Sequence, residues 1–341
     1  MSIGVAIIGS GIFAREEHLP AVQASDSLQL KAIYSRSQKS AQDLAVGTSG
    51  IDIYSEDSGS GKSYADLLAR QDIVAVIIAL PILAQPGFIQ KALAAGKQVL
   101  SEKPIAKDVA TAQDLVAWYQ ANTDPCKTRW AVAENFRYLG KYIRCAEEVR
   151  KMGRVKSFRM NVQNMIKPDS KYHKTEWRRT PEYKGGFVLD GGVHMVAGLR
   201  LILGSNDPLA TISAQSSLQQ EHLAPVDTVD AVAKTRSGAT GVLSLSYGSA
   251  FSDSLFEFAC ERGVVTMHFD KITANGESHE IPFEGRCVNL EVAEFAASIV
   301  EGRPVSNRLS PAEAMADLEI MEKMFDSSAQ DGERMKLRFQ V

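Results

Sequence analysis

The feature that most constrains this chain is an apolar run that ends in two closely spaced glycines. After Met-Ser, the sequence reads Ile-Gly-Val-Ala-Ile-Ile-Gly9-Ser-Gly11-Ile12-Phe13-Ala14 and continues with a helical pattern. This order is typical of a buried parallel strand that turns into a helix facing a dinucleotide pyrophosphate. Gly9 would make the turn, Gly11 would let the backbone approach the phosphates, and Ala14 would allow close helix packing. Ile12 and Phe13 join the predicted cofactor contacts, and an ordinary glycine turn is the alternative.

The first 125 residues alternate between strand-like and helix-like segments. Strands are predicted over 3–9, 28–34, 73–80 and 97–101. Helices are predicted over 12–24, 38–45, 64–68 and 83–95, with Gly96 ending the last, and a polar loop over 47–62. Such alternation forms βαβ units with right-handed crossovers and a parallel sheet. The pattern therefore predicts an α/β fold that begins with a Rossmann domain, a doubly wound parallel sheet, over residues 1–125.

Ligands of such sheets bind beyond the carboxyl ends of the strands, so the residues there are candidate cofactor contacts. The second strand is followed by Ser35-Arg36-Ser37, with no acidic residue at the position where an NAD site would place one. An arginine flanked by hydroxyls suits the 2′-phosphate of NADP, and a solvated surface arginine is the alternative. The third predicted strand ends in Leu80 and Pro81, where the backbone would lie beside the cofactor.

Length and composition favour a two-domain globular protein. The 341 residues exceed the roughly 150 expected of one domain, and 45% are hydrophobic. The net charge of −3 means that the chain has no overall excess of basic residues, which a nucleic-acid-binding protein would need. The sequence predicts no membrane span, which needs roughly 20 apolar residues, and because the first strand is predicted from residue 3 we expect no signal peptide. The four separated cysteines form no CxxC pair, which predicts reduced thiols, no metal site and a cytoplasmic location.

The pattern changes after a break near residues 122–130. A strand over 130–134 and a helix over 138–152 come first, and late helices are predicted over 288–301 and 311–327. Between them lie strand-like runs with short turns, over 155–165, 210–217, 229–236, 241–247, 255–260 and 264–269. Residues 126–341 are therefore predicted to form an α+β domain with a large open, mainly antiparallel sheet. Helices would cover one face of this sheet. The other face would be free to contact a second copy of the chain, which favours a homo-oligomer; a monomer is the alternative.

A second group of chemistry-bearing residues lies within 176–195. Asp190 and His194 are four residues apart, so on a helix that starts near Asp190 both side chains share one face. A histidine one turn from an aspartate at a helix start suits a general acid and base that faces a cleft. The alternative is an N-capping aspartate with a structural histidine.

Several segments resemble one known family. Glu102-Lys103-Pro104 follows a predicted strand of the parallel sheet, and a Gly-Gly-x-x-x-Asp-x-x-x-His segment with an upstream Trp-Arg pair contains Asp190 and His194. Both are similar to motifs of the glucose-fructose oxidoreductase and inositol dehydrogenase (Gfo/Idh/MocA) family. The whole chain resembles most a fungal NADP-dependent branch. Lys184 stands where many relatives have the first of three glycines, which puts the local loop shape in doubt.

The resemblance implies an NADP(H)-dependent oxidoreductase, with NAD(H) less favoured. Hydride would pass between the nicotinamide and a hydroxyl or carbonyl carbon of a sugar, polyol or related small carbonyl compound. Lys103 would hold the reacting oxygen, His194 would exchange its proton, and Asp190 would orient the substrate or tune the other two. The resemblance also adds to the cofactor contacts the residues Glu102, Lys103, Asn135, Trp177 and Arg178.

Two other functions stay open. A regulator of the same fold would bind NADP(H) without turnover, although the presence of the three catalytic candidates favours an enzyme. A lyase or hydrolase could instead use NAD as a transient oxidant. Weaker site candidates, each with a structural alternative, are Arg15, His18, Glu134, His173, Lys174, His222 and His268.

Overall fold

The computed structural model describes residues 2–341, which form two compact units. The first unit comprises the chain up to Ala106, Ala110–Asn135 and Arg286–Ala314. The second comprises Lys107–Val109, Phe136–Gly285 and Met315–Val341. These units differ from the predicted division into 1–125 and 126–341, because the strand at 130–133 pairs into the first sheet and the segment from 286 returns to the first unit.

The first unit contains the predicted parallel sheet. Its strands are β1 (Ile3–Ile8), β2 (Leu28–Ser35), β3 (Asp52–Ser55), β4 (Ala75–Ile78), β5 (Gln98–Glu102) and β6 (Trp130–Ala133). Their order is β3-β2-β1-β4-β5-β6, and all neighbours pair in parallel. Every residue of β1 and β4 is buried, as an apolar strand covered on both faces requires. The doubly wound Rossmann fold is confirmed, and its strand order reverses beside β1.

The helices have the following bounds. They are α1 (Leu19–Gln23), α2 (Gln38–Ala45), α3 (Tyr64–Leu68), α4 (Gln85–Ala94), α5 (Val109–Asn122), α6 (Gly140–Lys151), α7 (Glu176–Arg179), α8 (Gly186–Leu203), α9 (Val288–Val300) and α10 (Pro311–Ser328). Local chemistry explains several ends. The Ser37 hydroxyl caps α2 by accepting from the Ser40 amide at 3.2 Å, and α4 ends before Gly96, which has a φ of +74°.

Three local predictions for the first unit need correction. The loop predicted over 47–62 contains β3, because Ile53 and Tyr54 let this short segment pair with β2 at the sheet edge. The helix predicted over 12–24 includes a π-helical turn at Ala14–His18. Helix α5 was not predicted at all.

The second unit contains a nine-stranded sheet. Its strands are β7 (Val155–Met165), β8 (Leu209–Ser217), β9 (Thr228–Thr235), β10 (Thr240–Ser246), β11 (Gly248–Cys260), β12 (Gly263–His268), β13 (Lys271–Ala274), β14 (Glu277–Glu280) and β15 (Met335–Lys336). The order is β14-β13-β12-β11-β7-β10-β9-β8-β15. All neighbours are antiparallel except β7 and β10, so the predicted mainly antiparallel sheet is confirmed. Strands β13, β14 and β15 were not predicted.

Helix α8 is the core helix of the second unit. It is long and apolar enough to cross a membrane, but 67% of it is buried inside the protein. Glycines allow this burial, because a Cβ at Gly198 would lie 2.3 Å from the ring of Tyr142, and one at Gly191 would lie 2.6 Å from the hydroxyl of Tyr247. The helix therefore packs at distances that larger residues would not allow.

Candidate active site

The turn after β1 has the geometry that a phosphate-binding backbone needs. Gly9 has a φ of +110°, and a Cβ there would lie 2.2 Å from the carbonyl oxygen of Ala79. A Cβ at Gly11 would meet no heavy atom of residues 2–341 within 4 Å. The first glycine therefore makes the tight turn, and the second leaves open space beside the backbone, which fits the pyrophosphate of a dinucleotide. Ile12 and Phe13 follow in this turn and are partly exposed.

The end of β2 lies against this turn. The hydroxyls of Ser10 and Ser35 are 2.7 Å apart. Arg36 is exposed, and within the described residues its guanidinium has no hydrogen bond or ion pair. Ser37 is engaged as the cap of α2. The structure therefore leaves the Arg36 side chain available to a ligand, whereas both neighbouring hydroxyls already have partners in the protein.

The remaining predicted cofactor contacts of the first unit follow β4, β5 and β6. Because all six strands are parallel, these residues lie at the same edge of the sheet as the glycine turn. The Leu80 side chain lies 3.2 Å from the Cβ position of Gly9, and Pro81 beside it is partly exposed. Lys103, which follows β5, is also partly exposed. Asn135, which follows β6, is buried and donates to the carbonyl oxygen of Arg286 at 2.8 Å.

Glu102 is held by a histidine that the sequence left as a weak candidate. His18 is fully buried, and its Nε2 lies 2.7 Å from Oε1 of Glu102. The π-helical turn places this ring inward, and the Phe13 ring packs edge-on against it at 5.4 Å. Arg15 lies on the outer side of the turn and donates to the Asp43 carbonyl oxygen.

A buried acidic residue of the first unit, Glu291, interacts electrostatically with Glu102 and Glu134. Glu291 of α9 is 1% exposed, and burial raises the pKa of its carboxyl group well above the ordinary value, with the charges of Glu102, Glu134 and Glu17 adding to the effect. The Glu134 amide donates to the Glu291 carboxyl group, which lowers that pKa by less. Burial and nearby like charges both favour the neutral form of this carboxyl group over its carboxylate. Nothing in the local sequence around residue 291 indicated this role.

In the second unit, Asp190 and His194 lie one turn apart on α8. The helix begins at Gly186, so Asp190 is inside the first turns and does not cap it as one alternative predicted. Asp190 is 4% exposed and accepts from Nε of Arg178 at 2.7 Å. The His194 ring stacks on Phe136, with centroids 4.5 Å apart and planes 16° apart. Both candidate side chains are therefore held in defined orientations.

Aromatic side chains surround the aspartate and its arginine. The Arg178 guanidinium stacks on Trp177 at 3.9 Å and lies 5.4 Å from the ring of Tyr172. Burial raises the pKa values of Tyr183 and Tyr247, and the charge of Asp190 raises them further. Tyr183 and Tyr247 were not predicted, since neither lies at a recognisable spacing from Asp190.

The other histidines make structural contacts. His173 is buried, with Nε2 2.8 Å from the carbonyl oxygen of His222, and His222 Nε2 lies 2.8 Å from the carbonyl oxygen of Ile166. His268 pairs with Asp253 at the surface, and Lys174 is exposed. Across residues 2–341, no group of three His, Cys, Asp or Glu side chains is placed to hold a metal.

Comparison with known proteins identifies the family. Residues 3–127 match the oxidoreductase family with an NAD-binding Rossmann fold, and residues 144–266 match the Gfo/Idh/MocA C-terminal domain. The dehydrogenase FPY6 of Fusarium mangiferae is 42% identical over 353 residues, 99% of this chain and 100% of that protein. The chain belongs to the Gfo/Idh/MocA oxidoreductase family. The predicted resemblance to this family is confirmed, and the FPY6 relative is fungal, as predicted.

Two further relatives agree with this membership. An oxidoreductase structure from Thermotoga maritima superposes with a TM-score of 0.89 at 29% identity, covering 100% of both chains. The dTDP-3,4-didehydro-2,6-dideoxy-alpha-D-glucose 3-reductase of Actinomadura kijaniata is 27% identical over 78% of this chain and 74% of its own. The chain described above is itself an NAD(P)-dependent oxidoreductase, as predicted.

Proposed function

We propose that this oxidoreductase transfers hydride between NADP(H) and the hydroxyl or carbonyl carbon of a sugar, polyol or related small carbonyl compound. The observation that carries the catalytic part is the Asp190–His194 pair on α8, with each side chain held by a specific contact. A regulator that only binds nucleotide has no need for such an oriented pair. The sugar nucleotide named for the Actinomadura relative supports the substrate class.

The roles of the residues follow from their chemistry. The nicotinamide supplies or accepts the hydride when it is bound. His194 exchanges the proton of the reacting oxygen, because an imidazole nitrogen can both accept and donate a proton and its stack on Phe136 fixes the ring plane. Lys103 holds the same oxygen through its ammonium group and stabilises developing negative charge. Asp190 orients the substrate.

Loss of either proton-handling side chain tests this assignment. Lys103→Met and His194→Ala should each lower kcat by roughly 10²–10⁴, the range for a positioned acid or base. The Kd for NADPH should change little, and the double variant should lose far less than the product of both effects, because both residues act on one oxygen. Lys91→Met, at an exposed lysine of α4, is the matched control. Near-normal turnover in both single variants would contradict the assignment.

The preference for NADP(H) rests on Arg36, the exposed and unengaged guanidinium after β2. Charged hydrogen bonds to a 2′-phosphate contribute about 1.5–3 kcal/mol, which corresponds to roughly 10- to 150-fold in affinity. Arg36→Ala should weaken NADP(H) binding by most of that factor and leave NAD(H) binding nearly unchanged. Lys39→Ala, at an exposed lysine of α2, is the control. An Arg36→Ala protein that keeps its full preference would show that this arginine is only a surface charge.

Turnover separates the enzyme from a regulator. Sugars, polyols and aldehydes should be followed through the absorbance of reduced nicotinamide, with pull-downs made in the presence and absence of NADPH. Multiple turnover of any compound supports the enzyme. Tight NADPH binding without turnover, together with a nucleotide-dependent protein partner, would support the regulator instead.

Assembly and location complete the proposal. Val232 and Val242 lie opposite each other in the β9–β10 register, are 58% and 47% exposed, and give the sheet an apolar face that suits a second copy of the chain. Light scattering of the purified protein measures its oligomeric state. Within residues 2–341 none of the four cysteines is in a disulfide, which fits a reducing cytoplasm, and a fluorescent fusion tests that location.

A further inference from the structure

We infer that His18 is a positioning residue that orients the carboxylate of Glu102, one of the cofactor contacts expected at the end of β5. The His18 side chain is fully buried, so it acts on a bound nucleotide through Glu102. This inference rests on the proposed NADP(H) site, because it explains how one residue expected in that site is held.

The first observation is the geometry of the pair. Nε2 of His18 lies 2.7 Å from Oε1 of Glu102, and the two side chains are 0% and 12% exposed. A carboxylate oxygen only accepts hydrogen bonds, so this contact requires a proton on Nε2. Within residues 2–341, the second oxygen of Glu102 makes no hydrogen bond. The histidine therefore holds one carboxylate oxygen and leaves the other to a ligand.

The second observation is that the pair is exclusive among the described residues. Nδ1 of His18 is buried there without a hydrogen-bond partner, and the Glu102 carboxylate forms no ion pair with a lysine or arginine. The other charged group that interacts with Glu102 is itself acidic, because the charge of Glu102 contributes to the raised pKa of Glu291. Without His18, the Glu102 carboxylate would face only a second acidic side chain and would lose its orientation.

The third observation is how the chain places the histidine. His18 ends the π-helical turn that begins at Ala14, directly after the glycine turn, and the Phe13 ring packs edge-on against it at 5.4 Å. Helix α9, which carries Glu291, packs against the same turn. Single π-helical turns often occur at functional sites. Here the turn joins the backbone expected to bind the pyrophosphate to the side chain expected to contact the cofactor after β5.

Three replacements of His18 separate the hydrogen bond from the volume of the ring. His18→Gln can place an amide donor near the position of Nε2, His18→Asn is too short to do so, and His18→Met has no donor. The methionine and asparagine variants should raise the NADPH Kd about 10-fold, the low end for one hydrogen bond to a charged group, and the glutamine variant should stay within about threefold of the wild type. The control is His268→Met, which removes a surface histidine–aspartate pair and should leave the Kd unchanged.

A double-variant cycle tests whether His18 acts through Glu102. Glu102→Ala should raise the NADPH Kd at least as much as His18→Met does. The protein with both changes should bind NADPH like Glu102→Ala alone, because no carboxylate remains to be oriented. A histidine that only supports the fold would add its own loss of affinity in the double variant. That result would overturn the inference, as would an equal Kd for the glutamine and asparagine variants or an unchanged Kd for Glu102→Ala.

A readout without nucleotide or turnover separates this inference from the proposed function. Nitrogen NMR of labelled histidine, assigned with His18→Gln, should show a proton on Nε2 of His18, and a ring protonated only on Nδ1 would overturn the inference. If the spectrum and the NADPH affinities agree with it while no sugar, polyol or aldehyde is turned over, the positioning role stands and the proposed function fails. If substrates are turned over but all three His18 variants bind NADPH like the wild type, the inference alone fails.

Discussion

Replacing Glu291 by glutamine should change how the stability of this protein depends on pH. The Glu291 side chain is 1% exposed on α9, and burial together with the charges of Glu102, Glu134 and Glu17 raises its pKa well above the ordinary value of 4.5. Between the unfolded and folded pKa values, the folded protein binds one more proton than the unfolded chain. The stability that this group contributes is therefore complete below the unfolded value and is lost as pH rises toward the folded one.

The size of the effect follows from this proton difference. One extra bound proton in the folded state lowers the free energy of unfolding by about 1.4 kcal/mol for each pH unit, or about 3 kcal/mol over two units. Glutamine has nearly the same shape as the protonated acid and does not titrate. The Glu291→Gln variant should therefore match the wild type near pH 4.5 and become the more stable protein as pH rises.

Urea unfolding between pH 5 and 8 measures this difference. The fluorescence of Trp130, which is buried in the first unit, reports its unfolding. Glu294→Gln is the control, because that residue lies on the same helix but is partly exposed and pairs with Arg303. A Glu291→Gln stability difference that is constant across this pH range would refute the reasoning, because it would mean that Glu291 is ionised in the folded protein.

Three further substitutions test packing and local structure. Asp317→Ala leaves the buried guanidiniums of Arg137 and Arg200 without their shared carboxylate and should cost about 3–5 kcal/mol in urea unfolding, whereas a loss under 1 kcal/mol would show that the network is dispensable. Gly9→Ala should cost more than about 1 kcal/mol and weaken NADPH binding, because its φ is +110°; unchanged nucleotide affinity would contradict this. Ser63→Ala removes the capping box of α3 and should cost about 1 kcal/mol in thermal unfolding, with an unchanged midpoint as the contrary result.

Local patterns determined much of this fold. The apolar run of β1 and the glycine after it predicted the strand and turn, since a positive φ and the lack of a Cβ are properties of that one residue. The Ser37 cap lies where the predicted helix over 38–45 begins, and Gly96 ended the next long helix, as predicted. The four-residue spacing of Asp190 and His194 was sufficient to place them on one helix face, because helical periodicity depends only on separation along the chain.

Only the tertiary structure decided which distant groups meet. Strand β3 exists because β2 offers it an edge, and β10 pairs in parallel with β7 across a long separation in sequence. The pKa of Glu291 is raised because folding buries its carboxyl group and brings carboxylates from three other segments near it. Arg178 of α7 and Asp190 of α8 form an ion pair, although they lie on separate helices. Burial and charge are properties of a folded environment, so the roles of these side chains depend on neighbours that no local pattern specifies.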